Sequence, residues 1–295
     1  MNVGESLASA TIELESAGIP EAVREAASLL QFVIGRDRTF IVAHPEYELT
    51  GQERDLFQHS VQRRAAREPF QHIVGRQEFY GLDFVVTPDV LIPRHETELI
   101  VEKAIELLGN CKDPRFLEIG VGSGCISVAI LKNCPRASAI AVDIYEPAIE
   151  VASLNATMHG VKDRLRIRRS DVFQSVPEVD FDLIAANPPY VPFADYAHLQ
   201  PEVRDYDPRI AVTDGSTGLS VIERIAAGAS QHLRSGGHLL MEIGFGQHGQ
   251  VLDFFTNDQW ESAEISPDLQ GIPRMVFARS NAPSNKPNIP GDQVV

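Results

Sequence analysis

The spacing of apolar positions changes along the chain. From Pro20 to Ile34 it is helical: Ala22, Ala26, Leu29, Leu30 and Val33 share one side, and Pro20 suits a first turn. Thr50 is placed to cap a further helix reaching about Arg67, in which Phe57, Val61 and Ala65 recur every four residues. Residues 1 to about 72 therefore read as helical. Between Phe79 and Ile92 the pattern turns strand-like. Phe84, Val85, Val86, Val90 and Leu91, punctuated by Gly81 and Pro88, predict a hairpin or extended connection. Pro93 ends it, and a helix from about Glu96 carries Val101, Ala104, Ile105 and Leu108 on one face.

After this point short apolar runs alternate with helical ones. Strands are expected at 115–119, 137–142, 165–168, 181–186, 238–243, 261–266 and 274–278. Helices are expected at 124–132, 147–158, 219–233 and 247–256, with 187–217 irregular. Such alternation predicts an α/β fold with a parallel sheet covered on both faces. The proline-containing, polar end of the chain, 281–295, reads as a disordered tail.

Composition narrows the function. The chain has 295 residues, with 26 Lys and Arg against 41 Asp and Glu, for a net charge of −15. Phosphate backbones repel such a chain, so nucleic acid is not an expected direct partner. No apolar run has the length of a membrane span, and the first basic residue, Arg24, is too late for the charged start of a signal peptide. Three cysteines without C-x-x-C spacing fit a reducing cytoplasm. Nine histidines include no H-E-x-x-H pattern, and no metal site is expected. Cys125 reads as a small buried residue, Arg166, Arg168 and Arg169 as a solvated face, and Trp260 as a packing residue at the end of the sheet.

Two segments carry candidate chemistry. The first is Glu118-Ile119-Gly120-Val121-Gly122-Ser123-Gly124, lying between a predicted strand and a predicted helix, with Asp143 ending the next strand. Glycines allow a sharp turn and close approach of a ligand, and a carboxylate at the second strand end can accept both ribose hydroxyls. The G-x-G-x-G spacing departs from the dinucleotide fingerprint, and Glu118 would repel pyrophosphate. The same carboxylate could hold a cationic amino group, such as that of S-adenosylmethionine.

The second segment is Asn187-Pro188-Pro189-Tyr190, at the carboxyl end of the predicted strand 181–186, where open α/β sheets bind ligands. Prolines have no N–H, so their carbonyls act only as acceptors. The Asn187 side-chain oxygen and the Pro188 carbonyl would accept the two hydrogens of a planar –NH₂ group, with Tyr190 over its face. Electron density then returns to the nitrogen, and its lone pair is aimed at a methyl donor.

With these residues the chain resembles the class I S-adenosylmethionine-dependent methyltransferases, and within them the HemK/PrmC family of release factor glutamine methyltransferases. The resemblance spans residues 5–280 and rests on the segments 69–82 and 90–94, on Arg94-His95-Glu96-Thr97-Glu98-Leu99, and on the two segments above. The segments 201–204 and 207–209, and Leu240-Met241-Glu242-Ile243-Gly244, add to it. It implies a Rossmann-like, mostly parallel seven-stranded sheet, with a small all-α N-terminal domain joined by a β-hairpin linker. The implied division is a helical recognition domain over 1–74, the linker over 75–94, a catalytic domain over 95–280 and the tail.

The resemblance also implies the roles. S-adenosylmethionine would be held by Glu118, Gly120, Val121, Gly122, Ser123, Gly124, Asp143 and Asn187, with Asp171 and Val172 beside its adenine. The substrate would be held by Asn187, Pro188, Pro189 and Tyr190, with Arg94 and Glu96. That substrate is the glutamine of the Gly-Gly-Gln motif in class I peptide chain release factors, and the enzyme is expected as a cytoplasmic monomer. His95 stands where the family has proline, Glu118 where Asp is commoner, and Val172 where an aromatic is frequent. The Asn-Pro-Pro-Tyr grip would equally suit an adenine-N6 nucleic-acid methyltransferase or a ribosomal-protein glutamine methyltransferase. A catalytically silent binding protein and a nucleotide-dependent dehydrogenase are the remaining readings.

Overall fold

A computed structural model describes residues 1–109 and 111–281. The expected tail lies, from residue 282 onward, outside the described residues. Asn281 itself donates its N–H to the Gln259 carbonyl at 2.8 Å.

The chain forms two compact units. The first comprises Met1–Gln77, Val86–Pro88 and Leu199–Asp207. Its helices are α1 (Val3–Ser16), α2 (Ala22–Ile34), α3 (Arg38–Ala43), α4 (Gly51–Ala65) and α5 (Phe70–Val74). Thr50 begins α4 as expected, in a reciprocal cap with Glu53, and Asn2 forms the same box with Glu5 at the start of α1. Leu14, Leu29, Leu30, Phe57 and Val61 close the core between the helices. Full burial stabilises each such side chain by about 1.5–3 kcal/mol. Residues 199–207, distant in sequence, belong to this unit. There Glu202 bridges the buried Arg64 (3.1 Å) and Arg67 (2.8 Å), while Arg64 also reaches Glu25 at 3.1 Å.

Strands β1 (Arg76–Phe79) and β2 (Leu82–Val85) make the expected hairpin. Its two turn residues, Tyr80 and Gly81, both have positive φ (52° and 73°), as a two-residue turn matching strand twist requires.

The second unit contains α6 (Glu98–Leu108), β3 (Arg115–Ile119), α7 (Cys125–Asn133), β4 (Ser138–Asp143), α8 (Glu146–Met158), β5 (Leu165–Arg169) and β6 (Phe181–Ala186). Three short helices follow: α9 (Phe193–Tyr196), α10 (Pro201–Arg204), which lies in the first unit, and α11 (Arg209–Val212). They occupy the stretch expected to be irregular. The series closes with α12 (Ser220–His232), β7 (Leu233–Glu242), α13 (His248–Asp253), β8 (Trp260–Pro267) and β9 (Pro273–Ser280).

The seven-stranded sheet has the order β5-β4-β3-β6-β7-β9-β8. Pairs from β5 through β7 are parallel, and β9 is antiparallel to both of its neighbours. Alternating side chains face opposite layers. Phe116, Ala139, Ala141, Leu183 and Ala185 pack with α6, α7 and α8. Leu117, Ile140, Val142, Ile184 and Ala186 pack with α12 and α13. Trp260 joins this second layer against Phe255, with ring centroids 5.0 Å apart.

After β3 the chain moves outward to β4 and β5, then returns to β6 on the other side of β3. The strand order therefore reverses between β3 and β6, which creates a crevice at their carboxyl ends. Both candidate segments start there. Among the described residues, no helix is long and apolar enough to cross a membrane.

Candidate active site

The crevice is a cavity of about 310 Å³. Its lining brings together Arg94, Glu118, Gly120, Val121, Gly122, Ser123, Asp143, Asp171, Val172, Asn187 and Pro189. Four expected site residues, Gly124, Glu96, Pro188 and Tyr190, fall outside the lining. Gly124 starts α7 with φ 81°, and a Cβ there would meet the Ala152 Cβ at 3.2 Å, so glycine lets α8 approach. Glu96 is exposed in a short 3₁₀ turn, and Pro188 is buried. Tyr190 packs against the layer that contains α12 and α13.

Glu118 is an inward residue of β3, so its carboxylate ends beneath the first turn of α7. There the backbone N–H of Ser127 donates to Oε2 at 3.0 Å and the Ser127 hydroxyl donates to the same oxygen. Burial pushes this carboxyl up to about 8 even so. The groups that act on it are the Ser127 donors and the like-charged Asp143, and a cationic group brought beside it would favour its charged form. Burial also pushes the Cys125 thiol up, to about 12, with Glu118 adding to the effect, so Cys125 is a packing thiol and not a nucleophile.

Asp143 ends β4. Its Oδ2 accepts the Gly122 N–H and its Oδ1 the Tyr145 N–H, both at 3.0 Å. The carboxylate thus ties the glycine turn to the end of β4, and each of its oxygens retains a lone pair beyond these bonds. Tyr145 donates its hydroxyl to Asp89 at 3.2 Å, and both residues line the cavity. Val172 has φ 52°, a costly conformation for a β-branched residue, with its carbonyl accepting from the Ser170 hydroxyl at 2.9 Å. Asp171 pairs with Arg224 at 2.8 Å. A glycine turn, a carboxylate at the end of the second strand and a buried carboxylate beneath α7 are groups that fit the nucleoside and methionine parts of S-adenosylmethionine.

At the other end of the cavity, Asn187 donates its Nδ2 to the Thr97 hydroxyl at 3.0 Å. Thr97 donates to Glu242 Oε2 at 2.6 Å, and Tyr190 donates its hydroxyl to Glu242 Oε1 at 3.1 Å. Burial raises the pKa of Glu242, against these two bonds. The loop is braced from outside. Gln247 donates to the Tyr190 carbonyl at 2.8 Å and accepts the Gly244 N–H at 2.8 Å.

Sequence reasoning assigned no role to Thr97, Glu242, Arg224, Asp89 or Tyr145. The threonine and glutamate stood inside the segments carrying the resemblance; a polar residue within an apolar strand, as at Glu242, was the available signal. Histidine spacing also missed one grouping: Glu78, His95 and Glu98 bring ligand-type atoms within 4.8 Å of one another. Their oxygens brace the hairpin, with Glu78 accepting the Gly81 N–H and Glu98 the Tyr80 N–H.

Residues 5–75 match the family model of the PrmC N-terminal domain, and residues 97–199 match that of the methyltransferase small domain. The release factor glutamine methyltransferase of Koribacter versatilis is 38% identical over 280 residues, covering 95% of this chain and 99% of that protein. The protein of the same name from Geobacter sulfurreducens is 42% identical over 266 residues, covering 90% and 92%. A solved release factor-specific protein-(glutamine-N5) methyltransferase from Alicyclobacillus acidocaldarius is 27% identical. It covers 67% of this chain and 99% of its own, with a TM-score of 0.41. Full-length similarity at this identity, together with the two matched models, makes this chain a member of the release factor glutamine methyltransferase family.

Proposed function

We propose that the protein transfers a methyl group from S-adenosylmethionine to the side-chain amide nitrogen of a release factor glutamine, the one in the Gly-Gly-Gln motif of class I release factors. The observation that carries this is the commitment of the Asn187 Nδ2 to Thr97. With its donor end engaged, Asn187 has its acceptor end, Oδ1, left for an amide N–H.

Bound S-adenosylmethionine supplies a methyl group activated by its sulfonium charge. Glu118 would face the cationic amino group of the methionine part, the glycine turn would admit its backbone, and Asp143 would accept from the ribose. Asp171 and Val172 would border the adenine. Asn187 Oδ1 and the Pro188 carbonyl accept the two hydrogens of the glutamine amide. Holding both hydrogens opposes delocalisation of the nitrogen lone pair and fixes its direction, which is catalysis by orientation and electrostatics. As the N–CH₃ bond forms the S–CH₃ bond would break, leaving the neutral thioether S-adenosylhomocysteine, and one amide proton would pass to solvent. Pro189 and Tyr190 hold the loop in shape, and Arg94 borders the substrate side.

The relatives' names and the −15 charge favour a protein substrate over a nucleic acid. The enzyme would act in the cytoplasm, where release factors work. The test is incubation with labelled S-adenosylmethionine and purified release factors, followed by mass spectrometry of the modified peptide. A methyl on the Gly-Gly-Gln glutamine is the expected result. Label absent from the release factor and present in DNA would overturn the reading in favour of an adenine methyltransferase.

A further inference from the structure

We infer that Thr97 and Glu242 are positioning residues that set which end of the Asn187 carboxamide faces the substrate. The inference rests on the proposed methyl transfer and concerns how its amide grip is kept in one orientation. A carboxamide is nearly symmetric in shape but opposite in hydrogen-bonding sense at its two ends. If Asn187 turned by 180°, its –NH₂ would meet the –NH₂ of the glutamine, donor against donor, and the grip would be lost.

Counting hydrogens fixes the orientation. The Thr97 hydroxyl has one hydrogen, and the 2.6 Å contact to Glu242 Oε2 takes it. Tyr190 has one hydroxyl hydrogen, and Glu242 Oε1 takes that. Towards Asn187 the Thr97 oxygen is therefore an acceptor, and Nδ2 is the end that turns to it. Thr97 and Glu242 are both buried, so water does not compete for these bonds. As a carboxylate, Glu242 only accepts, and that sets the polarity of the line. A neutral Glu242 could donate to Thr97, releasing the threonine hydrogen towards Asn187 Oδ1 and reversing the line. Thr97 and Tyr190 face Glu242 by hydrogen bonds, and Glu96 and Arg274 act on it through space.

The test compares Thr97→Val, which keeps the volume and removes the hydroxyl, with Thr97→Ser, which restores it. Single-turnover methylation of a purified release factor and calorimetric binding of S-adenosylmethionine are measured for each. In Thr97→Val the rate should fall about 10- to 100-fold, the scale of a misplaced reacting group, with cofactor affinity within about threefold. Thr97→Ser should recover most of the rate. The wild-type rate should also fall on acidification as Glu242 takes up a proton, and Glu242→Gln should remove that acidic limb. Full activity in Thr97→Val, or an unchanged acidic limb in Glu242→Gln, would overturn the inference. Should Thr97→Val not fold, the Glu242→Gln pH profile decides alone. A wild-type protein that leaves every release factor unmodified would instead sink the proposed function.

Discussion

Glu118 and Ser127 lie on consecutive elements, and the Ser127 backbone N–H donates to the Glu118 carboxylate at 3.0 Å beneath the first turn of α7. The bond places a negative group at the positive end of a helix, which favours its charged form. Burial works the other way and dominates, since the carboxyl is pushed up to about 8. Both faces of the sheet are covered, and strand alternation places this charge under α7 while Leu117 and Ile119 face the layer of α12 and α13.

The raised pKa has a testable sign. Above its unfolded value the free protein loses stability as pH rises towards about 8, because the folded state holds the proton more tightly than the unfolded one. Glu118→Gln should therefore stabilise the free protein at pH 8, by about 1–3 kcal/mol, the scale of a buried polar mismatch. It should also weaken S-adenosylmethionine binding. Thermal unfolding and calorimetry of the variant check both; tighter cofactor binding would remove Glu118 from the cationic end of the site.

Asn187→Ala should abolish methyl transfer while leaving cofactor affinity within a few fold, because the side chain's acceptor end is reserved for the amide. Single-turnover kinetics with saturating S-adenosylmethionine would reveal this, and unchanged turnover would sink the mechanism.

Asp143→Ala should weaken cofactor binding by about 1.5–3 kcal/mol, the usual scale for charge-assisted hydrogen bonds. The same carboxylate accepts the Gly122 and Tyr145 N–H groups, so the variant should also loosen the glycine turn. Faster amide hydrogen exchange at Gly122 would report that loosening, and an unaltered dissociation constant would remove Asp143 from the site.

Gly218 has φ 77°, and a Cβ there would lie 2.1 Å from the Tyr190 carbonyl oxygen, which is backbone and does not swing aside. Gly218→Ala should destabilise the catalytic unit by about 1–3 kcal/mol, through strain and overpacking. It should lower turnover more than Gly215→Ala, where φ is also positive but no atom lies within 4 Å of the added carbon. Equal effects from the two variants would show that backbone strain alone matters.

Much of this architecture is legible locally. Strands β3 and β6 fall at their expected bounds because each is a short, mostly apolar run, and Thr50 announces α4 by its cap. Strand β7 begins at Leu233, five residues before the expected start. Gly236 and Gly237 read as a break, yet the chain passes through them with a register shift against β6. The glycine turn and Asn187 are legible because strand ends and turns are local features. Thr97, Glu242 and Arg224 are not, because their value comes from partners 50 to 145 residues away. The same distance hides the membership of residues 199–207 in the helical unit.

The line from Asn187 through Thr97 to Glu242 joins three segments spread over 145 positions of the chain. Homologous recombination or domain grafting that imports the Asn-Pro-Pro-Tyr loop alone would inherit the grip without its orientation. A working chimera must carry the threonine that precedes α6 and the glutamate that ends β7 with it, and lineages that lose one should change the others.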